Sequence, residues 1–124
     1  MKEKGTLILI LIFMTLFCAS WLSAFDQNRA GEILLKSLSI KEGKLSFGTD
    51  TGGCTSKSSF RVDIEPGKDS SGEMKTYTLT IKRVRPDDCK GFFPEGIVIE
   101  YEIGKDLGIK GSYTISVKNR ILPE

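Results

Sequence analysis

The sequence predicts an all-β fold: a small antiparallel β-sandwich or partly open barrel of about six strands, closed by one disulfide. Three observations predict it. Apolar and polar residues alternate with period two through four segments. No segment of helical length carries a 3.6-residue apolar period. Past the first 25 residues the cysteines are two, Cys54 and Cys89.

The four segments read directly. Phe60, Val62 and Ile64 alternate with Arg61, Asp63 and Glu65, and Tyr77, Leu79 and Ile81 alternate with Thr78, Thr80 and Lys82. Ile97, Ile99, Tyr101 and Ile103 alternate with Val98, Glu100 and Glu102, and Tyr113, Ile115 and Val117 with Thr114, Ser116 and Lys118. Because successive side chains of a strand point to opposite faces, each segment gives one buried and one wet face. Earlier, the apolar stretches 33–40 and 45–47 flank Lys41-Glu42-Gly43-Lys44, a hairpin turn with glycine where a positive φ is useful. Residues 30–36 are also compatible with a helical turn.

Pairing 58–65 with 76–83 as a hairpin gathers the entry to the first strand and the exit from the second at one end. Cys54 precedes that entry and Cys89 follows that exit, so the topology brings the two within reach. In the chain-entropy picture a bridge across the 35-residue separation stabilises the fold by about 3 to 4 kcal/mol. The loops 48–57 and 85–94 and the tail near Arg120 collect at the cysteine end, and 66–75 and 104–111 at the other.

The chain begins with Lys2 and Lys4 followed by the uncharged run Thr6 to Ala19, the layout of an export signal. Residues 1–24 read as a signal peptide cleaved after Ala24, with Ser20 as a second cleavage position, and residues 25–124 as a single exported β domain, periplasmic or secreted. Residues 6–25 are also long enough to stay in a bilayer as an uncleaved anchor, with Trp21 at interfacial height. Cys18 as a lipidation site is disfavoured by the bulky Phe17 before it.

Composition removes several functions. With no histidine, Ser-His-Asp and Cys-His catalysis and histidine-bearing zinc sites are excluded. Taking Lys2, Lys4 and Glu3 from 18 basic and 16 acidic residues leaves 16 and 15, without the basic excess a nucleic-acid binder needs. Hydrophobic residues make up 40% and charged residues 27%, a balance that folds.

At the cysteine end, Phe92-Phe93 beside Pro94 puts two aromatic side chains on opposite faces of one step, one free to act as a binding anchor. Lys57, Arg83, Arg85, Lys90 and Arg120 converge there among Asp50, Asp87 and Asp88, as a salt-bridged or solvated rim. Lys57, Arg85, Lys90, Phe92 and Phe93 are therefore the candidate partner-binding residues. The reading is an exported, non-catalytic module that recognises a protein or an envelope component through the disulfide-end loops, an inhibitor of an extracellular hydrolase being one form. No catalytic residue, metal ligand or cofactor is assigned, and the membrane is a partner solely through an uncleaved or lipidated N-terminus. Two alternatives stand beside it: a small dimeric aspartic-type peptidase using the Asp50-Thr51-Gly52 triplet, and a structural envelope protein.

Overall fold

The computed structural model describes residues 29–68 and 74–123, so the readings of the leader, its cleavage points and Cys18 lie outside the described residues. Among the described residues there are seven strands: β1 Gly31–Glu32, β2 Ser37–Lys41, β3 Lys44–Thr49, β4 Phe60–Pro66, β5 Lys75–Arg83, β6 Ile97–Glu102 and β7 Tyr113–Val117. A 3-10 turn, Lys57–Ser59, leads into β4. The 30–36 segment forms no helical turn; β1 and an isolated bridge between Leu35 and Ile121 occupy it.

The strands form two sheets. One has the order β2-β3-β6, antiparallel throughout. In the other, β5 is central, with β4 antiparallel along one edge and β1 and β7 sharing the opposite edge. The β5–β7 pair is parallel, a relationship absent from the sequence prediction. Among the described residues the strands divide between these two sheets with no closed barrel, the arrangement of a sandwich.

Register turns alternation into a core. In the first sheet Leu38, Phe47 and Ile99 are aligned, as are Ile40, Leu45 and Tyr101. In the second, Val62 faces Ile81, Ile64 faces Leu79, and Tyr77 and Leu79 face Ile115 and Val117. These inward rows meet across the sandwich, where Phe47 packs edge-on against Phe60 at 5.4 Å and stacks with Tyr101 at 6.2 Å. The Tyr101 hydroxyl also donates to the carbonyls of Lys57, at 3.1 Å, and Phe60, at 3.4 Å, tying β6 to the opposite sheet. The β2–β3 turn places Glu42 at φ 51° and Gly43 at φ 72°, the paired positive φ values of a tight hairpin that matches strand twist.

Where β5 changes partners along one edge, Ile81 stands between the last residue paired with β7, Leu79, and the first paired with β1, Lys82. Asn119 fills the step. Its Nδ2 donates to the carbonyls of Ile81, at 2.7 Å, and Ile33, at 2.8 Å, while its Oδ1 accepts from the Ile81 amide at 2.7 Å. The Ile81 amide and the Ile33 carbonyl thereby gain a partner, and the Ile81 carbonyl, which also accepts from the Ile33 amide at 3.4 Å, gains a second.

Candidate functional site

The disulfide joins Cys54 and Cys89, with Cα atoms 5.6 Å apart, and fastens the loop after β3 to the loop after β5. Such a bond belongs to a disulfide-permissive compartment outside the reducing cytoplasm. Beneath it lies Asp87, 5% exposed. Its carboxylate accepts from the Thr51 hydroxyl at 3.0 Å, the Gly52 amide at 2.8 Å, the Thr55 hydroxyl at 2.5 Å, and the amides of Cys54 and Cys89 at 3.2 and 3.1 Å. Burial alone would raise the pKa of this carboxyl, but the hydrogen bonds from Thr55, Gly52, Thr51 and Cys89 outweigh it and hold the group well below the usual carboxylate range. Asp87 is thus the anionic centre around which 51–55 is wound.

Arg83 completes the network. It is the next inward position of β5 after Leu79 and Ile81, so period two drives a guanidinium into the sandwich, where it is 1% exposed. Its Nη1 donates to Thr55 Oγ1 at 2.9 Å and its Nη2 to the Asp50 carbonyl at 3.1 Å, and it lies over the Phe60 ring at 4.7 Å. Thr55 accepts from Arg83 and donates to Asp87, linking the two buried charges through one hydroxyl. Arg83 and Asp87 are therefore interior residues and not members of a solvated rim, a correction to the sequence reading.

Glycine permits the two loops to touch. A Cβ on Gly52 would sit 2.0 Å from the Cys89 carbonyl oxygen, and one on Gly91 would sit 2.4 Å from the Phe93 ring and 2.7 Å from the Gly52 carbonyl oxygen. That carbonyl accepts from the Gly91 amide at 2.8 Å. The Phe93 ring thus covers Gly53 and Gly91, at 49% exposure, while its neighbour Phe92 projects with 88% of its surface in solvent.

The remaining candidates separate. Arg85 and Lys90 are exposed in the loop that carries Phe92. Lys57 is turned away: its Nζ bonds Asp106 at 2.5 Å and lies over the Tyr101 ring at 4.7 Å. Asp106 also accepts from the Glu102 amide at 2.7 Å, and Lys57 lowers its pKa. The 104–111 loop is therefore not confined to the far end of the sandwich. Arg120 places its carbonyl on the Leu35 amide at 2.9 Å, so the tail runs beside the β1–β2 connection.

Asp50, the triplet carboxylate, pairs with Lys36 at 2.7 Å, and Lys36 also donates to the Pro94 carbonyl at 2.8 Å. Thr51 and Gly52 of the same triplet serve Asp87. The cysteine sulfurs and an Asp87 oxygen lie within 4.8 Å of one another. Joined as a disulfide, however, the sulfurs are not the thiolates a soft metal requires, and the carboxylate is already surrounded by donors. What this arrangement does is hold still a loop that presents an aromatic ring to its surroundings.

No family model matches the chain, and no curated protein or solved structure is similar to it.

Proposed function

We propose that this protein is an exported, non-catalytic recognition module that binds a protein or another envelope component through the 85–94 loop. The observation that carries the proposal is Phe92, 88% exposed on a loop fixed by the Cys54–Cys89 bond and by the hydrogen bonds of Asp87. Covering such a ring in a complex removes a large apolar surface from water, and because the loop is already ordered, little conformational freedom is left to lose on binding. Arg85 and Lys90, exposed earlier in the same loop, are available for polar contacts around it. Pairing of Asp50 with Lys36, and service of Thr51 and Gly52 to Asp87, give the triplet structural work that supports the non-catalytic reading.

The test is native capture from the exported fraction of the producing cell, comparing the wild-type protein with Phe92→Ser at matched melting temperature. Recovery of a bound component by the wild type and its loss in Phe92→Ser is the expected result. Equal recovery by both proteins, or none by either, would overturn the proposal.

A further inference from the structure

The outer edge of β7 is open. β7 pairs with β5 and, among the described residues, with no other strand. The Ser112 carbonyl accepts from the Lys75 amide at 3.2 Å, and the Lys118 amide donates to the Leu79 carbonyl at 2.9 Å, so the even-numbered positions turn their backbone groups toward β5. A strand residue's N–H and C=O share one side, and that side alternates along the chain, so Tyr113, Ile115 and Val117 direct theirs away from the sheet. Their side chains pack against the core and are half-buried. At this edge the sandwich lacks both hydrogen-bond partners and apolar cover.

The other outer strands are guarded. On β4, the Gly67 amide donates to the Thr76 carbonyl at 2.7 Å and the Ser59 carbonyl accepts from the Val84 amide at 2.8 Å, which leaves Phe60, Val62, Ile64 and Pro66 facing out. There Pro66 has no N–H, and the Phe60 carbonyl accepts from the Tyr101 hydroxyl at 3.4 Å. On β6 the Asp106 carboxylate takes the Glu102 amide at 2.7 Å, and Glu100 adds charge. β1 carries Glu32 and β2 carries Lys41. Charge, proline and capping contacts are the means by which folded proteins keep edges from pairing. Of the seven strands, β7 alone contains neither a charged residue nor a proline.

We propose that this edge pairs with the same edge of a second copy of the chain, antiparallel and centred on Ile115. Two-fold pairing sets Tyr113 opposite Val117 of the second copy and Ile115 opposite its own counterpart on the core side, with Thr114 opposite Ser116 on the outer side. Aromatic on β-branched and Thr on Ser are favourable cross-strand pairs. The flanking Lys118 falls opposite Ser112, so no like charges are directly opposed between 112 and 118. Beyond Lys4 the chain carries 16 basic and 15 acidic residues, so net repulsion between copies is small. Because the patch contacts itself, the assembly closes at two copies and covers the open edge of both. β7 lies along residues 75–79 of β5, whereas the 85–94 loop leaves that strand beyond Arg83, so this inference does not rest on recognition by Phe92.

The experiment is sedimentation equilibrium of the protein as the producing cell processes it, over a rising concentration series, with the double variant Thr114→Lys/Ser116→Lys beside the wild type. Both positions are exposed, and pairing would set lysine against lysine. The expected result is a wild-type mass that rises toward about twice the monomer's, while the double variant stays monomeric at a matched melting temperature. Cross-linking reads the register without relying on that variant. Positions 114 and 116 of opposite copies form a non-hydrogen-bonded pair with Cα atoms about 4.5 Å apart, within range of a disulfide, whereas 114 meets its own counterpart on a diagonal of about 7 to 8 Å. Mild oxidation of a mixture of Thr114→Cys and Ser116→Cys is therefore expected to yield at least about fivefold more cross-linked dimer than either variant alone. A monomer at every concentration, a dimer that survives the two lysines, or equal cross-linking in the mixture and the single variants overturns the proposal. If the mass stays monomeric while the two lysines abolish capture of a different protein, the edge takes a foreign strand and pairing with a second copy is excluded.

Discussion

Asn119 acts as a strand residue for Ile81: its side-chain amide donates to the Ile81 carbonyl and accepts from the Ile81 amide, both at 2.7 Å. One side chain thus closes the gap on β5 between an antiparallel neighbour and a parallel one. Asn119→Ala leaves the Ile81 pair and the Ile33 carbonyl without that partner and is expected to cost about 2 to 4 kcal/mol. Urea denaturation measures the loss. Amide hydrogen exchange localises it, because the Ile81 N–H changes from protected to exchanging while the Leu79 amide, within the paired part of β5, changes less.

Asp87 makes the fold acid-sensitive in a defined window. Its folded pKa lies below the unfolded value of about 3.9, so its contribution is fully present above that value and is lost as pH falls through the range below it toward the folded pKa. Wild-type stability is expected to decline from about pH 4 downward, and Asp87→Asn to flatten that decline. At pH 7 the same substitution weakens charge-assisted bonds to two hydroxyls and three amides, with an expected loss of about 2 to 4 kcal/mol. Thermal melts across the acid range check both expectations.

Gly52→Ala tests the contact between the two loops. The added methyl would lie 2.0 Å from the Cys89 carbonyl oxygen, a distance no side-chain rotation can relieve, so the backbone has to move. We expect a loss of about 2 to 3 kcal/mol and weaker protection of the Gly91 amide, which is bonded to the Gly52 carbonyl. Gly43→Ala, where a Cβ meets nothing within 4 Å, is the comparison that separates crowding from backbone strain: its φ of 72° leaves strain as the sole cost.

Much of the fold was legible because period two fixes which face of each strand carries the apolar row, even where, as at Thr80 of β5, the opposite face is buried as well. Phe60-Val62-Ile64 and Tyr77-Leu79-Ile81 fix their faces by period two, and the cysteines outside that hairpin then fall at the same end. The parallel pairing of β7 was not legible, since alternation sets which side of a strand is buried and says nothing about which edge it joins or in which direction. Nor was Asn119, which lies past the alternating run in the polar Lys118-Asn119-Arg120. Arg83 did carry a signal: it occupies the inward phase two residues after Ile81, so a charge at that position announces a buried partner network. Asp87 hid beside Arg85 and Asp88, looking like part of a solvated loop, and all its donors but the Cys89 amide come from Thr51 to Thr55, more than 30 residues earlier. The exposed Phe92 beside a covering Phe93 follows from the two-aromatic step, but which ring faced outward required the loop geometry.

Phe92→Ser should leave the fold intact, with stability within about 0.5 kcal/mol of wild type, because the ring is 88% in solvent and contributes little burial. Its effect belongs to binding, and the most direct measurement is the affinity of the captured component for three proteins: wild type, Phe92→Ser, and Met74→Ser as a second exposed apolar side chain, 60% exposed, outside the loop. Loss of a buried aromatic contact predicts at least about tenfold weaker binding for Phe92→Ser and unchanged binding for Met74→Ser. Wild-type affinity in Phe92→Ser would contradict the assignment of the disulfide-pinned loop as the recognition surface.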